Sequence, residues 1–241
     1  RWLELVSTHT APREDWRTLA KHGGYPVPSL ELRDDAEART AWFAGYARTY
    51  LERDLQDLSR ITNIIDFRRL VIAATLRIGQ LLNMTELGRD AGLANTTVHR
   101  DLNLLETSYQ LVRLPAYAVN RTKRLIKAPK PYWCDTGLAL HLSGGEPTGA
   151  HFENLVLSDL LAWKDAQLDP PQLEYWRTST GDEVDFVVET RDRLLPIEVK
   201  ATQRPTPHDA KHLGTFLREY PDRAKAGLLL HDGERTEWIA T

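Results

Sequence analysis

The sequence predicts an α/β protein, α+β overall, with helices gathered toward the N-terminus and a mixed sheet flanked by helices toward the C-terminus. Three observations predict it. Apolar residues recur at helical spacing through residues 1 to about 60 and again from Phe67 to Glu106. Gly181 to Lys200 holds two runs of period-2 alternation around a turn, and from Gly149 onward helix-like and strand-like patterns follow one another. The 241 residues, 41% of them hydrophobic, suffice for one large core or two smaller ones.

Charge and composition narrow the function classes. A net charge of −3 and a pI near 6.3 give no overall field for nucleic acid, so any such contact has to come from local clustering. The single cysteine, Cys134, excludes an internal disulfide framework and lies in an apolar, aromatic run where a buried thiol is expected. No zinc site is expected. No apolar stretch has membrane-spanning length and no secretory or lipidation signal is present, so the expected address is the cytoplasm, with no membrane partner. Arg1 to Leu5 reads as though the chain opens inside a helix, and a fragment is expected.

Residues 1–60 form the first predicted unit, helical with a break at Lys21 to Pro28, whose glycines and prolines mark a turn. Pro12 near Asp15, and Asp34-Asp35 before Ala36, are helix-start signals. From Ala36 to Asp57 the stripe Trp42, Phe43, Tyr46, Tyr50 and Leu51 is expected to be core, with Arg39, Arg48 and Arg53 on a solvated face.

Residues 61–143 form the second. A helix over about Phe67 to Leu82 precedes a short helix, Met84 to Gly92, a turn at Leu93-Ala94, and a longer helix, Asn95 to Glu106, with Asn95 as N-cap. Val98, Leu102 and Leu105 face inward and Asn95, Thr96, Thr97, His99 and Arg100 outward, the arrangement of a helix-turn-helix. Strands over Leu111 to Val119 and Arg124 to Trp133, joined by a wing at Asn120 to Lys123, make the unit a winged helix-turn-helix. Thr107 to Cys134 holds no acidic residue, yet it carries Arg113, Arg121, Lys123, Arg124, Lys127 and Lys130, interleaved with Tyr109, Tyr117, Tyr132 and Trp133. A basic strip beside that helix suits phosphate contact and DNA as partner; a protein-docking module is the alternative.

Residues 144–241 form the third, entered through a short helix from Asp135 and the glycine-rich Gly144 to Gly149. A helix carries Glu153 and the apolar run Leu155 to Trp163. Strands follow over Leu173 to Thr178 and through the Gly181 to Lys200 hairpin, then a helix over about Pro207 to Tyr220 and strands over Ala226 to Leu230 and Thr236 to Ile239. In the hairpin, Val184, Phe186 and Val188 share one face and Glu183, Asp185, Glu198 and Lys200 the other. A turn centred between Arg191 and Asp192 sets Asp185 opposite Glu198 and Glu183 opposite Lys200, with Cβ atoms roughly 5 Å apart. Two carboxylates at that spacing need a shared proton or a cation, and hard oxygen donors on a rigid sheet suit Mg²⁺. Lys200 is then placed to orient a metal-bound water or to stabilise a phosphate. An exposed hairpin with a charged solvent face is the plainer alternative.

Asp185 followed by Glu198-Val199-Lys200 on the next strand resembles the signature of the PD-(D/E)XK, or restriction-endonuclease-like, nucleases. The resemblance implies that Glu153, from the first helix, completes a magnesium site with Asp185 and Glu198. More broadly, Gly23 to Pro26, Thr49 to Leu55, the helix-turn-helix, Lys127 to Tyr132 with Asp135 to Leu138, Phe152 to Asn154, Trp176-Arg177 with Gly181 to Phe186, and Pro196 to Ala201 run in the order of a prokaryotic AAA-type ATPase family. The chain is similar to that family's C-terminal portion, where a region like residues 1–60 ends an ATPase module and a winged helix and a nuclease-like domain of unknown function follow. That implies an N-terminal ATPase module as partner if the chain is a fragment. No glycine here is followed by lysine, so no Walker A loop forms and these residues carry no ATP hydrolysis. Three readings compete: a Mg²⁺-dependent DNA nuclease using Glu153, Asp185, Glu198 and Lys200; a DNA-binding module with an inert acidic cluster; and a protein-docking regulatory part of an ATPase. Homo-oligomerisation is left open.

Overall fold

In a computed structural model of the chain, residues 14–54, 63–119, 127–234 and 236 are described. Helix α1 (Trp16–His22) stops at Gly23, and a wide helical turn, Val27–Glu31, follows Pro26. Asp35 caps α2 (Ala36–Tyr46), its carboxylate accepting from the Ala38 N–H at 2.9 Å. The chain continues helically over Ala47–Asp54. Of the expected core stripe, Phe43 and Leu51 are buried, while Trp42, Tyr46 and Tyr50 are half-buried and pack against that core, Tyr46 stacking on Trp42 at 5.4 Å and on Tyr50 at 5.3 Å.

Asn63 caps α3 (Ile64–Thr75). This helix ends short of Leu82 because the following turn is bonded elsewhere: Gly79, at φ 72°, donates to the Pro131 carbonyl at 3.0 Å, and the Leu82 N–H donates to Pro129 at 2.8 Å. Asn83 caps α4 (Met84–Ala91), which Gly92 ends in the left-handed conformation. In α5 (Asn95–Thr107) the N-cap is Ala94, not Asn95, and no side chain caps it; Asn95 Nδ2 instead donates to Thr85 Oγ1 at 3.3 Å. Val98, Leu102 and Leu105 are fully buried, as their spacing requires.

Strand β1 (Leu111–Leu114) pairs antiparallel with β2 (Lys130–Trp133), Leu111 opposite Trp133. Both are shorter than expected. Beyond Pro115 the chain leaves β2 for a later strand: the Tyr175 N–H donates to the Pro115 carbonyl at 2.9 Å, and the Tyr117 N–H to the Tyr175 carbonyl at 2.5 Å. The wing at Asn120 to Lys123, with Arg121, Lys123 and Arg124, lies outside the described residues. Cys134 is exposed rather than buried, since β2 ends at Trp133 and leaves it at the turn into α6 (Thr136–Ser143). Asp135 caps α6 through the Leu138 N–H at 2.6 Å and also accepts from Gly24 at 2.7 Å and Tyr25 at 3.1 Å, fastening the N-terminal turn to it.

After α7 (Gly149–Asp165) come β3 (Gln172–Arg177), β4 (Glu183–Glu189), β5 (Leu194–Lys200), α8 (Lys211–Glu219) and β6 (Leu228–His231). The sheet order is β3-β4-β5-β6, antiparallel except for the parallel β5–β6 pair, a mixed sheet flanked by helices. The helix α8 starts at Lys211 rather than near Pro207. The strand expected over Thr236 to Ile239 lies outside the described residues apart from Thr236. Ladder pairs from Phe186↔Ile197 to Glu189↔Leu194 put the hairpin turn between Arg191 and Asp192, as expected.

One departure shapes the site. Glu174 pairs with Val187 but Trp176 pairs with Val184, so β4 carries one extra residue, a bulge at Asp185-Phe186. Strict alternation would group Val184 with Phe186 and Val188. Instead Val184 and Val187 share a core with Leu213 and Phe216 of α8, while Phe186, Val188, Ile197 and Val199 join a larger core with Leu157 of α7. That larger core runs back without a break through Trp133, Leu105 and Phe67 to Phe43. The sheet is covered on both faces, so Asp185 and Glu198 are buried rather than displayed on a solvent face.

Candidate functional site

The four residues of the predicted catalytic set lie on three adjoining elements. Glu153 comes from the first turns of α7, Asp185 from the β4 bulge, and Glu198 and Lys200 from the end of β5. The hairpin register, continued one residue past its last ladder pair, sets Asp185 opposite Glu198. There the Asp185 carboxylate itself takes the Val199 N–H at 2.9 Å. Lys200 Nζ lies 2.5 Å from Glu198 Oε1. Glu198 Oε2 is buried with no hydrogen-bond partner among the described residues, although the residue is only 3% exposed.

Sequence reasoning missed the group that ties this cluster together. Lys130, from β2, is 1% exposed, and its Nζ stands 2.5 Å from Glu183 Oε1, 3.6 Å from Glu153 Oε1 and 3.8 Å from Asp185 Oδ1. Expected among the phosphate-facing basic strip, it is instead the buried counter-charge of three acids. Glu153 and Asp185 are thus separated by no more than the two distances to one ammonium laid end to end. Tyr132, also on β2, donates its hydroxyl to Glu153 Oε1, and Glu183 pairs outward with Arg177 at 2.7 Å. The Tyr175 ring covers Lys130, its centroid 5.4 Å from Nζ.

Asn154 sets the position of Glu153. Its side chain accepts from the Trp133 N–H at 2.8 Å and donates to the Trp133 carbonyl at 2.7 Å, so α7 is locked to β2 one residue from the acid. A capping box between Thr148 and His151 starts the helix.

The electrostatics follow from burial and crowding. Burial, then the neighbouring Asp185, pushes Glu153 and Glu198 each up to about 7, with Lys130 opposing at the first and Lys200 at the second. Burial also raises Asp185, against the pull of Lys130 and the Val199 N–H. Burial by itself lowers Lys130, but Glu153, Asp185 and Glu183 outweigh it and hold the ammonium above its ordinary value.

Magnesium can be tested against these residues. The donors are carboxylate oxygens, and Glu198 Oε2 is buried without a hydrogen-bond partner among the described residues; in kind and charge the set fits a hard divalent ion. In spacing, no three His, Cys, Asp or Glu side chains among the described residues stand together as a metal-holding group.

Residues 13–149 match a family described as a domain of unknown function, DUF8612. The chain belongs to this family. Residues 148–241 match a second, the domain of unknown function DUF4143. An uncharacterized protein of Mycobacterium tuberculosis and one of Mycobacterium bovis are each 35% identical over 193 residues, 76% of this chain and 42% of theirs. An uncharacterized protein of Haemophilus influenzae is 22% identical over 201 residues, 80% of this chain and 48% of its own length. The chain therefore spans less than half the length of these relatives. No solved structure matches it.

The DUF8612 stretch supplies Lys130 and Tyr132, and the DUF4143 stretch supplies Glu153, Glu183, Asp185, Glu198 and Lys200, so the cluster is assembled across the join. The DUF8612 stretch also carries the predicted nucleic-acid residues. Asn95, Thr96, His99 and Arg100 are exposed and Thr97 half-buried at the start of α5, and Lys127 is exposed. Arg100 Nε donates to the buried Asp101 at 2.8 Å, and Arg113 is tied to Glu106 and, at 2.8 Å, to Asn103. Among the described residues no helix is long and apolar enough to cross a membrane.

Proposed function

We propose that the chain is the DNA-binding and phosphodiester-hydrolysing portion of a larger AAA-type ATPase-like protein acting in the cytoplasm. Its α3–β2 unit is read as a winged helix, and its sheet with α7 as a PD-(D/E)XK-like domain. DUF4143 domains follow AAA-type ATPase modules in some proteins, which supports an ATPase module as partner. The observation that carries the hydrolase reading is the buried adjacency of Asp185 and Glu198 with an unpartnered Glu198 oxygen and Lys200 beside it.

In this reading Glu153, Asp185 and Glu198 would hold Mg²⁺, which would supply charge neutralisation and a more acidic water. Asp185 Oδ2 is fixed by the Val199 N–H, so Oδ1, 3.8 Å from Lys130 Nζ, keeps one direction. Lys200, 37% exposed at its side chain, offers its ammonium to the scissile phosphate oxygens or to the attacking water. Exposed polar residues at the start of α5, with Lys127, hold the nucleic acid backbone.

Cleavage of single-stranded, double-stranded and plasmid DNA with Mg²⁺ or Mn²⁺, comparing the chain with Lys200→Ala and Asp185→Ala, tests this. Cleavage abolished by both, with binding kept, supports it. Binding without cleavage under either metal leaves a DNA-binding module on an inert nuclease-like fold, a second reading that the internal Lys130 cation favours.

A further inference from the structure

We propose that Lys130 is a built-in counter-cation that competes with a divalent metal for the Glu153 and Asp185 carboxylates and so sets how much metal the site demands. This rests on the reading of those acids as a metal site.

The argument is one of position. An ammonium that is 1% exposed and within 3.8 Å of three carboxylates already serves Glu153 and Asp185 as their shared cation. The acids are unevenly served: Lys130 contacts Glu153, Glu183 and Asp185, Lys200 contacts Glu198 Oε1, and Glu198 Oε2 has no hydrogen-bond partner among the described residues.

Lys130 is not free to swing away. Pro131 follows it, and the Pro131 carbonyl accepts from Gly79; Tyr132 grips Glu153; and the Tyr175 ring lies over Nζ, with its own hydroxyl donating to the Ala128 carbonyl at 2.5 Å. Because β2 lies in the DUF8612 stretch and the acids in the DUF4143 stretch, the competing charge stays in place only while the two stay docked. Removing that charge relieves ammonium–metal repulsion in a desolvated site, where like charges a few ångströms apart interact far more strongly than in water.

The test is Mn²⁺ affinity, by electron paramagnetic resonance and calorimetry, on the full chain and Lys130→Gln, with the thermal midpoint followed against Mg²⁺. Lys130→Gln is expected to bind Mn²⁺ at least about tenfold more tightly, to be less stable without metal, and to regain stability as Mg²⁺ is added. A merely structural lysine yields loss of stability with no gain in affinity, which overturns the proposal. If the single variant does not fold, Lys130→Gln with Glu183→Gln removes one charge of each sign and is compared with Glu183→Gln alone, against which it is expected to bind Mn²⁺ more tightly. Equal Mn²⁺ affinity in both proteins, lost in Asp185→Ala, overturns the role of Lys130 and leaves the metal site standing. No Mn²⁺ binding by either at millimolar concentration overturns both.

Discussion

Asn154 and Trp133 exchange a pair of hydrogen bonds, side-chain oxygen to backbone N–H at 2.8 Å and side-chain N–H to backbone carbonyl at 2.7 Å, with Asn154 wholly buried. Through this contact a helix of the DUF4143 stretch reads the backbone of a DUF8612 strand, and the acid next to it, Glu153, is delivered to Lys130 and Tyr132.

Asn154→Ala removes both bonds and strands two buried backbone groups, so it is expected to cost about 2–4 kcal/mol in denaturant unfolding. Asn154→Asp keeps the acceptor and loses the donor, and should fall between. A loss below about 0.5 kcal/mol for the alanine variant would mean that α7 is held by packing alone.

The contribution of Glu153 and Glu198 to stability should fall as pH rises from about 4.5 to about 7, against an opposing rise below 6.5 from His22, His141 and His151, which burial holds below their ordinary value. Glu153 and Glu198 each go from an ordinary 4.5 up to about 7, so in that window these two groups bind more protons in the folded chain than in the unfolded one, and their protonated forms favour folding. The raised Lys130 and Lys200 act only above their ordinary value of 10.5 and leave this window untouched. Glu198→Gln should flatten the slope, by on the order of 1–3 kcal/mol across the window given the coupling to Asp185. Equilibrium unfolding of both proteins at pH 5 and 7 checks it; identical slopes would refute the assignment.

Two glycines give opposite expectations for alanine. At Gly23, φ is 69° and a Cβ would stand 2.4 Å from the Asp135 carboxylate that holds this turn, so Gly23→Ala should cost about 2–4 kcal/mol. At Gly45, inside α2, a Cβ meets nothing within 4 Å, and alanine should stabilise by up to about 1 kcal/mol. Thermal midpoints of the two variants moving in the same direction would contradict this account of the N-terminal turn.

For DNA binding, Lys127 and Arg113 separate a solvent-facing charge from a structural one. Lys127→Ala should weaken binding across sequences and lower the log–log salt slope by about 0.9 for the lost phosphate contact. Arg113 is already paired with Glu106 and Asn103, so Arg113→Ala should lower stability and leave the slope unchanged. Titrations at several salt concentrations, with unfolding curves alongside, decide between them.

Local pattern by itself determined much of this protein. The cap at Asp35, the stop at Gly92, the inward Val98, Leu102 and Leu105, the helix bearing Glu153 and the hairpin centred between Arg191 and Asp192 all follow from neighbours a few residues apart, so period and turn chemistry reveal them. Tertiary structure decided what depends on distant partners. The helix after Asn63 stops at Thr75 because Gly79 and Leu82 bond to the β2 approach, and the strand from Leu111 ends at Leu114 because Pro115 and Tyr117 bond to Tyr175. The bulge at Asp185 appears only as a mismatch between two strands, and no alternation within one strand can announce it. Lys130 makes the same point most plainly: in a basic, acid-free run it reads as a phosphate contact, and only the packing of β2 beneath α7 and β4 turns it into the charge that three acids share. A side chain's chemistry is carried in the sequence, but its electrostatic partner is set by which elements pack together.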